Sequence, residues 1–311
     1  DTSWKKAATA WTESLEKNQF NTAHHDIGFM MYCSYGNALR FQNNPAYEKI
    51  LLQSAESLTK RYSPVVGCIQ SWNKRKSKGD INTWEYPVIM DNMMNLELLF
   101  WASRETGDPR FKEIAIIHAD NTMKNHFRPD YSSYHVICYD VDGKVLAKKQ
   151  HQGYQDESTW TRGHAWAMYG YVEMYRNTKD KKYLDFAQKI SDFYLNHPNM
   201  PADKIPYWDF YAPNIPTEER DASAGAIAAS ALLELSTYSG EKGKRYYADA
   251  VKMLASLSSP AYRAALGENN HFLIKHCVGA KSLNSEIDVP LIYADYYYLE
   301  GLLRYQKMAK K

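Results

Sequence analysis

The sequence predicts an all-α fold in which repeated helical hairpins close into a toroid of two concentric rings. Three observations carry that expectation. The first is a recurring punctuation: a turn of Gly, Asn, Lys or Asp, then an aromatic, then a small or apolar residue about four positions on. Its copies begin at Asp1, Asn43, Thr106, Thr178 and Ser239. Each opens a run with apolar residues at steps of three and four, the spacing of a helix of roughly 15 to 18 residues. The second is a different kind of helix between the copies, at 28–41, 93–105, 160–177, 222–238 and 291–307, apolar around most of its circumference. A helix apolar on most sides is buried on most sides, so the first set reads as outer helices and the second as inner ones. The third is the unequal length of the connections. Links from inner to outer helix are short (42–44, 106–108, 178–180, 239–242), whereas links from outer to inner helix are mostly long (63–90, 128–159, 197–221, 259–290). Long loops then gather on one face, and long loops in compact domains tend to be functional.

Each element has its local reason. Pro45 and Pro109 fall in the first turn of their helices, where the missing N–H costs nothing. The run ASAGAIAASA at 222–231 is the clearest inner helix. In the long link 128–159, alternation around Val141-Asp142-Gly143 predicts a β-hairpin. Five outer and five inner helices form one domain over 1–311, one hairpin short of a six-hairpin ring. Because the chain opens on an outer helix, the remaining pair is expected before Asp1. The first residue is not Met and no signal peptide is present, which reads as a processed or truncated chain.

Bulk properties exclude several classes. A net charge of +2 on 311 residues argues for neither nucleic acid nor an acidic membrane surface as partner. No apolar run approaches the roughly 20 residues of a membrane span. Cys33, Cys68, Cys138 and Cys277 lie far apart, without a CxxC and without ligand-like spacing to His, so no metal site is expected. They read as buried thiols, with one disulfide left open. Aromatic use is heavy, with 25 Tyr and 8 Trp, which serves both a packed core and the stacking of sugars.

The polar residues that stand out sit where long loops enter inner helices: His24-His25-Asp26, Asp91-Asn92, Asp156, Arg220-Asp221, and Glu286 with Asp288. If the inner helices share a direction, these groups converge at one mouth of the ring. The stretch GYQDESTWTRGHAWAMYG at 153–170 places Asp156 in a loop, with Ser158 or Thr159 available as an N-cap and a helix from about Trp160. Asp156 reads either as a capping acid or as a carboxylate held for chemistry. Capping is the expectation for Asp221 and Asp288. Asp91 lies between the apolar runs Val88-Ile89-Met90 and Met93-Met94, a setting in which burial raises a carboxyl pKa. Two acids with divided protonation states are what general acid–base chemistry requires. Trp84, Trp160, Trp208 and Tyr154 lie in or beside the same loops and read as sugar platforms or as packing. Arg220 suits a substrate carboxylate or a structural ion pair. His276, Lys281, Ser282, Asn284 and Ser285 form a polar loop facing either sulfate groups or solvent.

These stretches resemble the unsaturated glucuronyl hydrolases, glycoside hydrolase family 88. The resemblance rests on His25-Asp-Ile-Gly-Phe, Val88-Ile-Met-Asp-Asn-Met-Met-Asn-Leu, Tyr134-His-Val, the 152–170 stretch, Pro206-Tyr-Trp-Asp-Phe, Arg220-Asp-Ala-Ser-Ala-Gly-Ala-Ile-Ala and Ser285-Glu-Ile-Asp-Val-Pro-Leu. They follow family order over essentially the whole chain, and rhamnogalacturonyl hydrolases fit them less well. The resemblance implies an (α/α)6 barrel that acts on oligosaccharides with a 4,5-unsaturated uronic acid at the non-reducing end, the products of glycosaminoglycan lyases. It implies hydration of the C4=C5 vinyl ether, without metal or organic cofactor. Asp156 would be the proton donor. Asp91 would hold sugar hydroxyls and tune Asp156. Asn92, Trp160, His164, Trp208, Arg220, Ser223 and Trp84 would bind substrate. The expected partner is a small oligosaccharide, for a monomer or weak homodimer with a periplasmic home, or else a cytoplasmic one. A non-catalytic carbohydrate-binding toroid is the alternative of another class. One departure concerns His164, which stands where the family's RGQAW has Gln; an imidazole there would titrate near neutrality. The other is the N-terminal hairpin expected before Asp1.

Overall fold

The computed structural model describes residues 2–76 and 83–310, in two compact units, Asp1–Asn125 with Ile137–Ala147 and His126–Val136 with Lys148–Lys311. Asp1, which opens the first copy of the repeat, and residues 77–82 of the long link 63–90 lie outside the described residues.

In the first unit the helices are α1 (Thr2–Ser14), α2 (Ile27–Met31), α3 (Asn37–Phe41), α4 (Pro45–Thr59), α5 (Leu96–Thr106) and α6 (Pro109–Asn125). A π turn, Tyr32–Gly36, joins α2 to α3, so the inner helix expected at 28–41 is one continuous run with a wide turn in its middle. Asn44 caps α4 by accepting from the Ala46 N–H, with Pro45 in the first turn as expected. Gly107, at φ 75°, closes α5 in the left-handed region. The long link holds short strands that the sequence does not announce. β1 (Tyr62–Ser63) pairs antiparallel with β2 (Cys68–Ile69), and β3 (Arg75–Lys76) with β4 (Thr83–Trp84). β5 (Tyr86–Ile89) borders β6 (Val136–Tyr139), which borders β7 (Val145–Lys149). β6 and β7 are the hairpin expected around Val141-Asp142-Gly143, its turn closed by Asp140 Oδ1 accepting from the N–H groups of Asp142 and Lys144.

The second unit holds α7 (Thr161–Thr178), α8 (Lys181–Asn196), α9 (Ala222–Ser236), α10 (Glu241–Ser258), β8 (Cys277–Ala280), its antiparallel partner β9 (Ser285–Val289), and α11 (Ile292–Ala309). The inner and outer characters separate as the apolar patterns demand. Every residue of α7 from Thr161 to Met174 is buried, and in α9 all but Glu234 and Ser236 are. In α8 only a stripe is buried, including Tyr183, Ala187, Ile190 and Tyr194; α10 buries Tyr246, Ala250, Met253 and Leu257 at the same spacing. α9 packs against α7, α10 and α11 and is the centre of this unit. Each of its fully buried Leu and Ile side chains contributes about 1.5–3 kcal/mol.

α11 departs from the inner-helix expectation. It buries Ala294, Tyr297, Tyr298 and Gly301 but leaves Ile292, Leu299 and Leu303 exposed. Its sequence is apolar on two sides, and core covers one of them. α1 likewise buries only Thr12, with Trp4 and Trp11 in solvent. All four cysteines are unbridged, three of them buried and Cys33 half-buried, and burial pushes the Cys68 thiol up to about 12. Among the described residues no helix is long and apolar enough to cross a membrane.

Candidate active site

In the second unit Asp156 sits on a loop braced from several sides. Arg128 Nη2 donates to the Asp156 carbonyl at 2.8 Å, and Arg128 Nη1 to the Ser158 carbonyl at 3.2 Å. Gln150 Nε2 donates to the same Ser158 carbonyl at 2.8 Å. The Asp156 carboxylate, 44% exposed, accepts from the Gln150 N–H at 3.0 Å on Oδ1 and pairs with Lys149 Nζ at 3.0 Å on Oδ2. The capping reading fails on this geometry. α7 starts at Thr161 with Trp160 at the N-cap position and no side-chain cap. Ser158, offered above as a cap, gives its hydroxyl to Asp209 instead, at 2.6 Å. Its start is closed from a neighbouring segment: the Thr161 N–H and hydroxyl reach the carbonyls of Trp208 and Tyr207.

Of the expected sugar platforms, the three tryptophans are buried. Trp160 lies between the Arg162 guanidinium, 4.4 Å from its ring, and His135 at 4.5 Å. Its Nε1 is buried with no acceptor among the described residues. A Cβ at residue 163 would come within 2.5 Å of this ring, so Gly163 is what lets the indole lie across the first turn of α7. Trp208 donates its indole N–H to Glu218 at 2.8 Å and carries the Lys281 ammonium over its face at 5.6 Å. Tyr154, on the Asp156 loop, keeps an exposed face.

Arg220 pairs with Asp203 at 3.0 Å and covers the Tyr207 ring, which is the structural alternative weighed above. It also borders a cavity of about 250 Å³ with Tyr262, His276 and Asp288. Asp221 caps α9 as expected, accepting from the Ser223 and Ala224 N–H groups, and it forms a buried ion pair with Arg162 at 2.8 Å. Ser223 is buried and donates its hydroxyl to the same Asp221. Asp288 corrects the capping expectation: it lies on β9 and meets His276 at 2.6 Å, while Leu291 stands at the N-cap of α11. Lys281 is held by Glu218 and Glu219, and burial of Glu218 is outweighed by Lys281 and the Trp208 N–H, bringing that carboxyl down to about 2.

His164 corrects a second expectation. It is wholly buried, with Nδ1 at 3.0 Å from the Ser133 hydroxyl and Nε2 at 3.0 Å from the Ile190 carbonyl. Burial lowers its pKa to about 4, so it is neutral at pH 7 rather than titrating there. An imidazole so engaged ties α7 to α8.

In the first unit Asp91 follows β5 on a 3-10 turn, Met90–Asn95, that feeds α5. Its neighbours are pinned by buried groups. Ser71 Oγ accepts from the Ile89 N–H at 2.8 Å. Asn92, wholly buried, donates to the Ile69 carbonyl at 2.6 Å and to Ser71 Oγ at 3.0 Å. Asn95 donates to Asn92 Oδ1 at 3.1 Å, lies 3.0 Å from His25 Nδ1, and accepts from the Phe29 N–H at 2.7 Å. Burial lowers the His25 pKa against the pull of Asp26 and Asp91. Trp84 is buried and stacks on Trp72 at 6.3 Å and 17°.

No family model matches the chain. Over 313 residues it is 45% identical to an unsaturated glucuronyl hydrolase of Formosa agariphila, covering 100% of this chain and 76% of that protein. The chain belongs to the unsaturated glucuronyl hydrolases. It is therefore a glycoside hydrolase with an oligosaccharide substrate, and its fold class is the α/α barrel of that family. The crystal structure of an unsaturated glucuronyl hydrolase specific for heparin superposes with a TM-score of 0.95 at 50% identity, over 100% of this chain and 82% of that one. An unsaturated chondroitin disaccharide hydrolase of Streptococcus pyogenes is 33% identical over 289 residues, 91% of this chain and 70% of that protein.

In this member of the family the residues that brace the Asp156 loop, and the Arg162 that pairs with Asp221, are ones the sequence reading passes over. Asp209 stands inside the Tyr-Trp-Asp-Phe motif, Arg128 and Lys149 in a long link, and Arg162 inside the 153–170 stretch, yet none draws a role from spacing. One signal was available for Arg162 and Asp209: charged residues set among tryptophans and apolar runs must find partners when the run is buried.

Proposed function

We propose that this hydrolase removes the 4,5-unsaturated uronate from heparin-derived disaccharides by hydrating its C4=C5 vinyl ether, with Asp156 as the proton donor. The observation that carries the reading is the setting of Asp156. Its carboxylate is half exposed on a loop braced through its backbone, and it is oriented by the Gln150 N–H and Lys149 rather than spent on a helix cap. In the step, Asp156 in its protonated form gives its proton to C4; the double-bond electrons form the C4–H bond, and the O–H pair stays on the carboxylate, which Lys149 steadies. The cation left at C5, stabilised by the ring oxygen, takes a water molecule whose proton returns to the Asp156 carboxylate. The hemiketal at C5 then opens and rearranges, and the glycosidic oxygen leaves with the remaining sugar. Asp91 takes the second acid's part, holding sugar hydroxyls. A positioned general acid of this kind contributes about 10²–10⁴-fold.

The heparin assignment rests on the 50% identity to the heparin-specific relative. The 33% identity to the Streptococcus pyogenes enzyme supports chondroitin disaccharides as the second reading. The test is loss of ultraviolet absorbance from unsaturated heparin, chondroitin, hyaluronan and rhamnogalacturonan disaccharides, with wild type and Asp156→Asn. Fastest decay on heparin disaccharides, slowed about 10³-fold in the variant, is the expected result. Faster decay on another member of the panel overturns the heparin assignment, and undiminished decay in Asp156→Asn overturns the role of Asp156. A monomer or weak homodimer in the periplasm suits a degrader of imported oligosaccharides. Light scattering and cell fractionation are the corresponding measurements.

A further inference from the structure

The Asp209 carboxylate is wholly buried, next to α7 in the second unit. Its Oδ2 accepts from the Ser158 hydroxyl at 2.6 Å and from the Tyr154 N–H at 2.9 Å, and its Oδ1 from the Tyr211 N–H at 2.9 Å. Tyr154 and Ser158 bracket Asp156, two positions to either side. The bracket is closed on itself, since the Gln155 N–H donates to Ser158 Oγ at 3.2 Å and the Ser158 N–H to the Gln155 carbonyl at 2.9 Å. Asp209 is in turn fixed against the start of α7, where the Phe210 N–H reaches the Thr159 carbonyl at 3.1 Å. A Cβ at residue 153 would come within 2.9 Å of both Asp209 Oδ2 and Gln150 Oε1, so only Gly153 lets the carboxylate close on the loop.

We infer that Asp209 is a positioning residue for Asp156: without touching it, the buried carboxylate clamps the loop on both sides and fixes where the donated proton sits. The inference rests on the reading of Asp156 as proton donor. The chemistry of the clamp requires a carboxylate. Ser158 O–H, Tyr154 N–H and Tyr211 N–H are all donors, and an ionised carboxylate is acceptor-only, so it meets all three. An amide would turn an N–H₂ toward one of them. Burial raises the Asp209 pKa while these bonds oppose it, and charge-assisted bonds in a dry setting are stronger than neutral ones.

The experiment measures kcat and KM on an unsaturated disaccharide for Asp156→Asn, Asp209→Asn, Ser158→Ala and the Ser158→Ala/Asp209→Asn double variant. Asp209→Asn should lower kcat about 10²-fold with KM within about twofold, the signature of a displaced reacting group with substrate contacts intact. Ser158→Ala should lower kcat about 10-fold. The double variant should be no slower than Asp209→Asn alone, because both changes open one clamp. Activity retained in Asp156→Asn overturns the proton-donor reading, whatever Asp209 does. An inactive Asp156→Asn beside wild-type kcat in Ser158→Ala and Asp209→Asn overturns the positioning role, as do losses that multiply in the double variant or appear only in KM. Should Asp209→Asn fail to fold, Ser158→Ala decides alone, wild-type kcat overturning the inference.

Discussion

Asp91 and Asp156 are held in opposite ways. Asp91 rides on regular structure: a strand runs into a 3-10 turn and then a helix, and the residues beside it are pinned by buried neutral groups, Ser71, Asn92 and Asn95. Asp156 rides on irregular chain, and what fixes it is a set of charged side chains from other segments, Arg128, Lys149 and Asp209. Regular structure sets a side chain's direction through the backbone alone. A loop has no such frame, and its backbone polar groups have no ladder to satisfy them, so each is met by a separate partner. Damage to the two settings should therefore differ in kind: the Asp91 turn fails as stability, the Asp156 loop as rate.

The largest effect should come from the acids themselves. Asp156→Asn is expected to lower kcat by about 10³-fold and Asp91→Asn by about 10²-fold, both with unchanged melting temperature. Equal losses would erase the distinction between proton donor and companion. Next is Arg128→Met, which releases the Asp156 carbonyl and leaves the Ser158 carbonyl to Gln150 alone; kcat should fall about 10-fold by the same misplacement argument. Asn92→Ala should show the opposite pattern. It strands the Ile69 carbonyl in the interior and should cost about 1–3 kcal/mol in denaturant unfolding, with kcat in the surviving folded protein reduced far less than the stability.

The smallest effect concerns pH. Burial holds the folded-state pKa of His164 and His197 at about 4 and of His118 at about 3, against about 6.5 in the unfolded chain. Between those values the unfolded chain binds more protons, so stability is lost as pH falls from about 6.5 toward 4. His164→Gln, whose amide can donate to the Ile190 carbonyl and accept from Ser133, should flatten that decline. Melting temperatures of the two proteins at pH 7.5 and pH 5 check it. An undiminished slope would return the pH sensitivity to the other histidines.

The same contrast governs what could be read from the sequence. Outer helices announce themselves through stripes such as Tyr183, Ala187, Ile190 and Tyr194, and inner ones through runs such as 222–231, because periodic burial leaves a periodic trace. Asp91, between two apolar runs, was visible for that reason. Asp156 was visible through its motif, but its partners lie 28 residues away in the case of Arg128 and 55 between Tyr154 and Asp209. Nothing local encodes such pairs. The strands in the long link 63–90 are two to four residues each, too short for alternation to register. Capping by Ser158 was a sound local preference that lost to a buried acceptor offering a stronger bond.

The cysteines have a practical corollary. Burial lifts the Cys68 thiol to about 12 and raises Cys277 well above its usual value, so neither presents a thiolate at mildly alkaline pH, and Cys138 is enclosed and out of a reagent's reach. Cys33, half-buried between α2 and α3 beside Trp4 and Phe41, is the position a maleimide reaches in the native protein. A dye or spin label therefore has one address, in the first unit and on a different element from either acid. Motion there can be followed during turnover without engineering a cysteine-free background.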